Sequence, residues 1–181
     1  MADNVLSSRT IIRVYRTRTG SPRIVTPDAS TCTTANLIKE GRVVQFDATS
    51  TATHRIVLSS TGASPNLSTN IVGVAAQADT SDGSTLGMGE GKRQLTVWAA
   101  DPATEFLFPT NIAGTTPALV NAGLALKWDS TLGIHYGVAN STAGDQRIWV
   151  TEVPAQFLGD TNGFVVGRFL STAVAPAIAP R

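Results

Sequence analysis

The sequence predicts an all-β protein, a barrel or sandwich of short strands with an internal duplication and extended N- and C-terminal arms. Three observations predict this class. Two stretches of the chain repeat each other, turn-forming Gly and Pro residues are frequent while only 15% of residues are charged, and no long segment has the periodicity of a helix. A chain of 181 residues is long enough to form one such body around a proper core.

The repeat is the most informative feature of the sequence. Residues 37–49 match residues 119–131 without a gap, and residues 54–61 match residues 135–142 once the connecting turn is shortened by one residue. Each copy starts at a Gly, runs through apolar residues to an aromatic residue and an Asp, and resumes at a His. Asp favours a turn because its side chain bonds its own backbone, so each copy is predicted to be a β-hairpin.

Three regions follow from this pattern. Residues 1–34 form a basic N-terminal arm with a first strand, residues 35–170 form a single β-rich body, and residues 171–181 form an extended tail rich in Pro and Ala. The repeat copies lie within the body at about 35–62 and 118–144. The only helix expected is a single turn at the start of each copy.

The first strand is predicted near Ile12 to Arg18, where Ile12 and Val14 are separated from Arg13 and Arg16 and leave one basic face. Further strands are predicted outside the repeat, and Gly73 indicates a bulge or a close backbone approach within one of them. These strands cover residues 70–77, 93–98, 104–108, 147–153 and 163–170.

The net charge of +1 predicts no binding to nucleic acid or to membranes by the protein as a whole. The charge is unevenly distributed, because a third of the basic residues lie in the first 25 positions beside a single acid, Asp3. These residues are Arg9, Arg13, Arg16, Arg18 and Arg23. They form either a solvated strand face or a contact to carboxylates of another protein, since Arg makes planar bidentate bonds to carboxylates.

Cys32 is the only cysteine, so packing or assembly must stabilise the fold without an internal disulfide. The N-terminus lacks an apolar segment of signal-peptide length, and nowhere do 18 apolar residues run together. We therefore expect a protein that is made or assembled in a cytoplasm.

No catalytic, metal or cofactor site is predicted. His54 and His135 are counterparts in the repeat, as are Asp47 and Asp129, which favours structural roles for all four. One cysteine and two separated histidines do not have zinc-site spacing. Residues 79–83 resemble a calcium loop only faintly, and residues 87–91 lack the Lys-Ser/Thr ending of a phosphate loop, so both are interpreted as turns or surface loops.

Several stretches resemble structural proteins of tailed bacteriophages. Residues 97–106, the Ser-Thr-Ala-Gly turn at 141–144 and residues 159–166 resemble uncharacterised head proteins of these phages, notably marine ones. Residues 40–44 and 71–75 are similar to segments of phage capsid cement proteins. The two resemblances together cover about residues 35–170, and they contain no catalytic signature.

The resemblance implies a capsid decoration, or cement, protein that is a structural component of the virion. Such a protein binds the outer surface of the phage head as a homo-oligomer, with a homotrimer favoured, and stabilises the shell of the major capsid protein. The five arginines of the arm are then the candidate capsid-binding residues, and the tail is a second candidate contact.

Two other functions remain open. A virion-surface adhesin or carbohydrate-binding β module would use exposed aromatic side chains, and the available residues are Trp98, Trp128, Trp149 and Tyr136. The match of Trp128 with Phe46 in the repeat favours core packing for Trp128. The third function is an enzyme on a β scaffold. It would require a cluster of polar groups, and the polar groups that the sequence offers are already explained by turns and by the repeat.

Overall fold

A computed structural model describes residues 6, 10–18, 20–26, 28–29, 38–46, 55–59, 70–77, 93–139 and 143–174. The described segments form strands joined by turns and short 3-10 helices. The strands are β1 (Arg13–Thr17), β2 (Ile24–Val25), β3 (Asp28–Ala29), β4 (Val43–Phe46), β5 (Arg55–Leu58), β6 (Ile71–Ala75), β7 (Arg93–Gln94), β8 (Val97–Ala99), β9 (Thr104–Pro109), β10 (Gly123–Asp129), β11 (Ile134–Ala139), β12 (Ile148–Glu152) and β13 (Phe164–Phe169). The 3-10 helices are Pro117–Leu119, Ala143–Asp145, Ala155–Phe157 and Ser171–Ala173.

The strands form two sheets that pack on each other, which confirms the all-β class and selects the sandwich. Sheet 1 has the order β2-β8-β6-β4-β5-β3-β7, and sheet 2 has the order β1-β9-β13-β12-β10-β11. All neighbouring strands are antiparallel except β3 and β5. The single helical turn expected at residues 119–122 lies two residues earlier, as the 3-10 turn Pro117–Leu119. The other three 3-10 turns were not predicted.

Alternate residues of sheet 1 serve two different apolar clusters. Val43 and Val74 pack with the inward side chains of sheet 2, including Phe106 and Phe108. Their neighbours along the strands, among them Val44, pack in a second cluster on the opposite face of sheet 1. Both faces of sheet 1 are therefore covered, which explains why β6 is buried at every position.

The bulge predicted near Gly73 is present. The register of β4 against β6 shifts between Val44 and Gln45, and a Cβ atom at Gly73 would lie 2.0 Å from the carbonyl oxygen of Trp98 in β8. Glycine is required here because the backbone of β8 occupies the space that a side chain would need.

The two sheets contain the same five-stranded arrangement. We call β2 to β6 with β8 the first half and β9 to β13 the second half. In the first half the strand order is β2-β8-β6-β4-β5. Strand β3, which follows β2 in the chain, then pairs parallel to β5. In the second half the strand order is β9-β13-β12-β10-β11. Thr110, which follows β9 in the chain, pairs parallel to Gly137 of β11.

The equivalence extends to residue register. Five residue pairs of the first half each have an equivalent pair in the second half. The equivalences are Val44–Leu58 with Leu124–Ala139, Val43–Val74 with Gly123–Trp149, Ala75–Val97 with Val150–Gly167, Val25–Val97 with Phe106–Gly167, and Ala29–Ile56 with Thr110–Gly137. One set of residue equivalences satisfies all five pairs. The repeat therefore covers five strands of each sheet and is longer than the hairpins recognised in the sequence.

The structure shifts the sequence alignment of the first hairpin strand by two residues. Gly41 and Asn121 both have left-handed φ angles, of 72° and 66°, and both donate their N–H to β6 or β12, at Ala75 and Val150. Gly41 is thus equivalent to Asn121 and not to Gly123, while the second hairpin strand keeps the predicted match of Ile56 with Gly137. A shift of two residues leaves every side chain on the same face, so the pattern still predicted a hairpin.

Residues 10–17 contact both halves. The N–H of Ile12 donates to the carbonyl oxygen of Gly41 at 3.2 Å, and Arg42 donates from Nη1 to the carbonyl oxygen of Thr10 at 2.7 Å. The chain then enters β1, which pairs with β9 in the second half. Residues 10–18 are consequently built into the body, whereas Arg9 lies outside the described residues.

His135 joins the two halves through its ring. It lies on β11 of sheet 2, is 1% exposed, and contacts sheet 1 through both ring nitrogens. Its Nδ1 accepts from the N–H of Val43 at 3.2 Å, and its Nε2 lies 2.7 Å from the carbonyl oxygen of Ser59. A carbonyl can only accept, so the ring is neutral with its proton on Nε2. The predicted structural role of His135 is thereby explained, while its counterpart His54 lies outside the described residues.

Burial of the ring is the main cause that lowers the pKa of His135 to about 3; the Ser59 hydrogen bond opposes this shift, and the positive charge of Arg42 contributes to it. A second ring proton would also point at the N–H of Val43, which is a donor. The contact between the halves therefore requires the neutral ring.

Substitution of Gly41 by Ala should destabilise the fold more than substitution of Gly114 by Ala. Both glycines have a φ of 72°, so both variants carry the left-handed strain of about 1 kcal/mol. A Cβ at position 41 would lie 2.4 Å from Cβ of Ile11, whereas nothing lies within 4 Å of a Cβ at position 114. Urea unfolding should show an additional loss of roughly 1–3 kcal/mol for Gly41→Ala. Equal losses would contradict the close packing of the N-terminal segment.

The free energy of unfolding should fall as the pH is lowered from about 6.5 toward 3. The unfolded chain binds a proton at His135 below its ordinary pKa of 6.5, while the folded protein does not until about pH 3. The slope from this residue approaches about 1.4 kcal/mol per pH unit. Urea titrations between pH 7 and 5, where most carboxylates stay ionised, should show this slope in the native protein and not in His135→Gln. A slope unchanged in the variant would contradict the buried neutral ring.

Candidate functional site: the arginine face

Strand β1 places a group of arginines on the outward face of sheet 2. The register of β1 against β9 shifts between Val14 and Arg16, so Tyr15 is the extra residue of a β-bulge. Val14 packs toward the core, while Arg13 lies opposite the outward-facing Leu107. The bulge lets Tyr15 and Arg16 both face outward, which strict alternation would forbid. Arg13 and Arg16 thus share one face, as the sequence predicted.

Arg16 is held by two carboxylates of the same chain. Its Nε donates to Oε2 of Glu105, and its Nη1 donates to Oε2 of Glu152 at 2.8 Å. Glu105 is 2% exposed, whereas the side chain of Arg16 is 50% exposed. The bond to Glu105 raises the pKa of Arg16, although burial acts in the opposite direction. Arg16 therefore neutralises a buried carboxylate and anchors β1 to the sheet.

Two neighbouring side chains complete this cluster. Nη2 of Arg18 lies 3.7 Å from Oε1 of Glu105, and the Tyr15 hydroxyl donates to Oε1 of Glu152 at 3.4 Å. The side chain of Arg18 is 64% exposed, so much of it is available to other groups.

The five predicted arginines are not all in one place. Arg13, Arg16 and Arg18 lie together on the outward face of sheet 2, and Arg9 lies outside the described residues. Arg23 is exposed immediately before β2, at the edge of sheet 1. Arg13 and Arg23 form no ion pair with a described residue.

The structure adds Arg168 to this face. Phe169 of β13 points into the core, so Arg168 points outward. The register of β13 against β9, continued by one residue, places Arg168 beside Glu105. We call Arg13, Arg16, Arg18 and Arg168 with Glu105 and Glu152 the arginine face. Sequence reasoning predicted the strand that contains Arg168 but missed its place on this face. The order of the strands, in which β9 lies between β1 and β13, depends on pairings between residues far apart in sequence.

The other candidate residues occupy structural positions. Oδ1 of Asp129 accepts from the N–H groups of Thr131 and Leu132, both at 2.9 Å, as expected for a turn residue. Trp98 and Trp128 are partly buried against the core clusters, and Tyr136 is 6% exposed. Asp47 and the loops 79–83 and 87–91 lie outside the described residues.

Among the residues that the structure describes, no group of three or more His, Cys, Asp or Glu side chains could hold a metal ion. The same described residues contain no helix with the length and apolarity needed to span a bilayer.

Comparison with known proteins does not assign the chain to a family. No family model matches the sequence, and no curated protein is significantly similar to it. The arginine face is therefore the basis for a functional interpretation.

Substitution of Arg16 by Gln should destabilise the protein, and substitution of Arg13 by Gln should not. Removing Arg16 leaves the buried carboxylate of Glu105 with only the distant Arg18, at an expected cost of about 1–3 kcal/mol. Arg13 lies on the same strand and face and forms no ion pair with a described residue, so its replacement should change stability by less than about 0.5 kcal/mol. Urea unfolding of both variants measures the difference, and equal effects would contradict the anchoring role of Arg16.

Proposed function

We propose that the protein is a structural component of a virion, a capsid decoration protein that binds the outer surface of a phage head and stabilises the shell of the major capsid protein. The observation that carries the proposal is the arginine face, which presents four arginines and two glutamates on one side of a β-sandwich. The resemblance of residues 35–170 to phage head proteins supports the same function.

The charges on the arginine face favour a protein partner that bears carboxylates. Arg16 is committed to Glu105 and Glu152, so the arginines that reach a partner are Arg13, Arg18 and Arg168. Arginine keeps its charge at every relevant pH and binds carboxylates in a planar, bidentate geometry.

Assembly on a shell also suits the small size of the proposed contact. A trimer would present three arginine faces to neighbouring capsid subunits, and linked sites bind more tightly than single ones without new kinds of contact. We therefore propose a homotrimer that binds the major capsid protein, without nucleic acid or membrane as a partner.

Co-sedimentation with empty heads tests this function. The native chain should pellet with shells assembled from the major capsid protein encoded in the same genome, and its copy number should be a fixed multiple per shell. The double variant Arg13→Glu/Arg18→Glu should bind at least tenfold more weakly at low salt. Lys39→Glu, at an exposed cation that precedes β4 of sheet 1, is the matched control and should bind like the native chain. Failure of the native chain to bind shells would overturn the proposal.

A further inference from the structure

The first half packs on the second half through one face of its sheet. On that face, Val43, Val74 and Trp98 point into the core that contains the inward side chains of sheet 2. The residues between them point the other way, into the separate core of the first half. This face of the first half is thus an interface inside the chain.

The second half has the equivalent face, and there it points outward. By the shared register, Val43, Val74 and Trp98 correspond to Gly123, Trp149 and Arg168. Ile148 and Val150, on either side of Trp149, point into the core, so Trp149 points away from it. The side chains of Trp149 and Arg168 are partly exposed. Val43 and Val74 are buried between the halves, whereas their equivalents Gly123 and Trp149 are partly exposed.

Trp149 and Arg168 continue the arginine face across the sheet. Trp149 pairs with Arg168 between β12 and β13, Arg168 lies beside Glu105 of β9, and Glu105 pairs with Arg16 of β1. We call these four residues the cross-strand row. With neighbouring strands about 4.8 Å apart, the row spans roughly 14 Å. That length accommodates a short extended segment of another protein.

The charges of this surface specify the partner. The arginine face has four arginines against two glutamates, a net charge of +2, and the ion pairs within it involve only Arg16 and Arg18. Arg168 forms no ion pair with a described carboxylate. An anionic partner would pair Arg168 and Arg13, while Trp149 offers an aromatic surface of the kind that often anchors protein interfaces.

We infer that the cross-strand row, extended by Arg13, is a docking surface for an acidic segment of a protein, with Trp149 and Arg168 as its principal contacts. The inference rests on the proposed function in that the acidic segment would belong to the capsid shell. It goes beyond the proposed function by adding Trp149 of β12 to the contact and by making Trp149 and Arg168, rather than the arginines of β1, its principal residues.

Shell binding by single variants tests the location of the contact. Trp149→Ala and Arg168→Glu should each weaken co-sedimentation with shells at least tenfold, and Arg168→Gln should have a smaller effect of the same sign. Trp128→Phe and Lys39→Glu serve as controls for a change of tryptophan and for reversal of a cation away from this surface, and should stay within threefold. Native-like urea unfolding of each variant excludes misfolding. If the native chain binds shells and these two variants bind as tightly, the inference is wrong.

A second measurement tests the surface without the shell. In an NMR titration with a hexaglutamate peptide, the indole N–H of Trp149 and the backbone amides of Trp149 and Arg168 should shift most, and added salt should reverse the shifts. Shifts that are absent, or equally large around Lys39 and Lys127, would overturn the inference even if the proposed function fails its own test. A shift of the Trp149 indole with neutral oligosaccharides and not with the peptide would also overturn it, in favour of a glycan-binding surface.

Discussion

The bridge made by His135 is the contact on which the arrangement of the two halves depends. Its ring lies on the edge strand of sheet 2 and bonds the backbone of sheet 1 at Val43 and Ser59. Trp128 stacks against the ring with centroids 4.6 Å apart and touches both apolar clusters. Apolar packing between sheets is not directional, so two hydrogen bonds from one buried ring give the interface a defined position. The same bridge requires a neutral histidine, and folding of this region is therefore coupled to pH.

A repeated unit gives the chain two equivalent faces, and their side chains decide what each one does. The face with Val43, Val74 and Trp98 is apolar and is buried between the halves. The equivalent face, with Gly123, Trp149 and Arg168, lies beside the ion pairs of Arg16 and faces outward. At one of the three positions an apolar residue, Trp98, is replaced by a charged one, Arg168, which disfavours the stacking of another apolar sheet on this face. This replacement also converts an internal packing surface into one that can receive a partner of opposite charge.

The sequence was sufficient for the fold class, the two hairpins and the single basic face of the first strand, because local alternation and turn residues specify these features. It was not sufficient for the full repeat. The equivalence of Gly41 with Asn121 depends on left-handed backbone angles that two different residues adopt, and the pairing of Trp149 with Arg168 depends on long-range register. The predicted site was incomplete for the same reason, since Glu105 and Glu152 lie far from Arg16 in sequence. Both carboxylates form ion pairs with Arg16, which was expected to reach a partner.

We propose that the outward face of β1, β9, β13 and β12 in sheet 2 is the surface through which this protein contacts its partner. A cryo-electron microscopy reconstruction of shells carrying the native chain tests it most directly. We expect β1, β12 and β13 to face the shell, with Arg13, Trp149 and Arg168 against acidic capsid residues and Arg16 still bound to Glu105. A reconstruction in which this face points into solvent, while sheet 1 or the loops contact the shell, would contradict it.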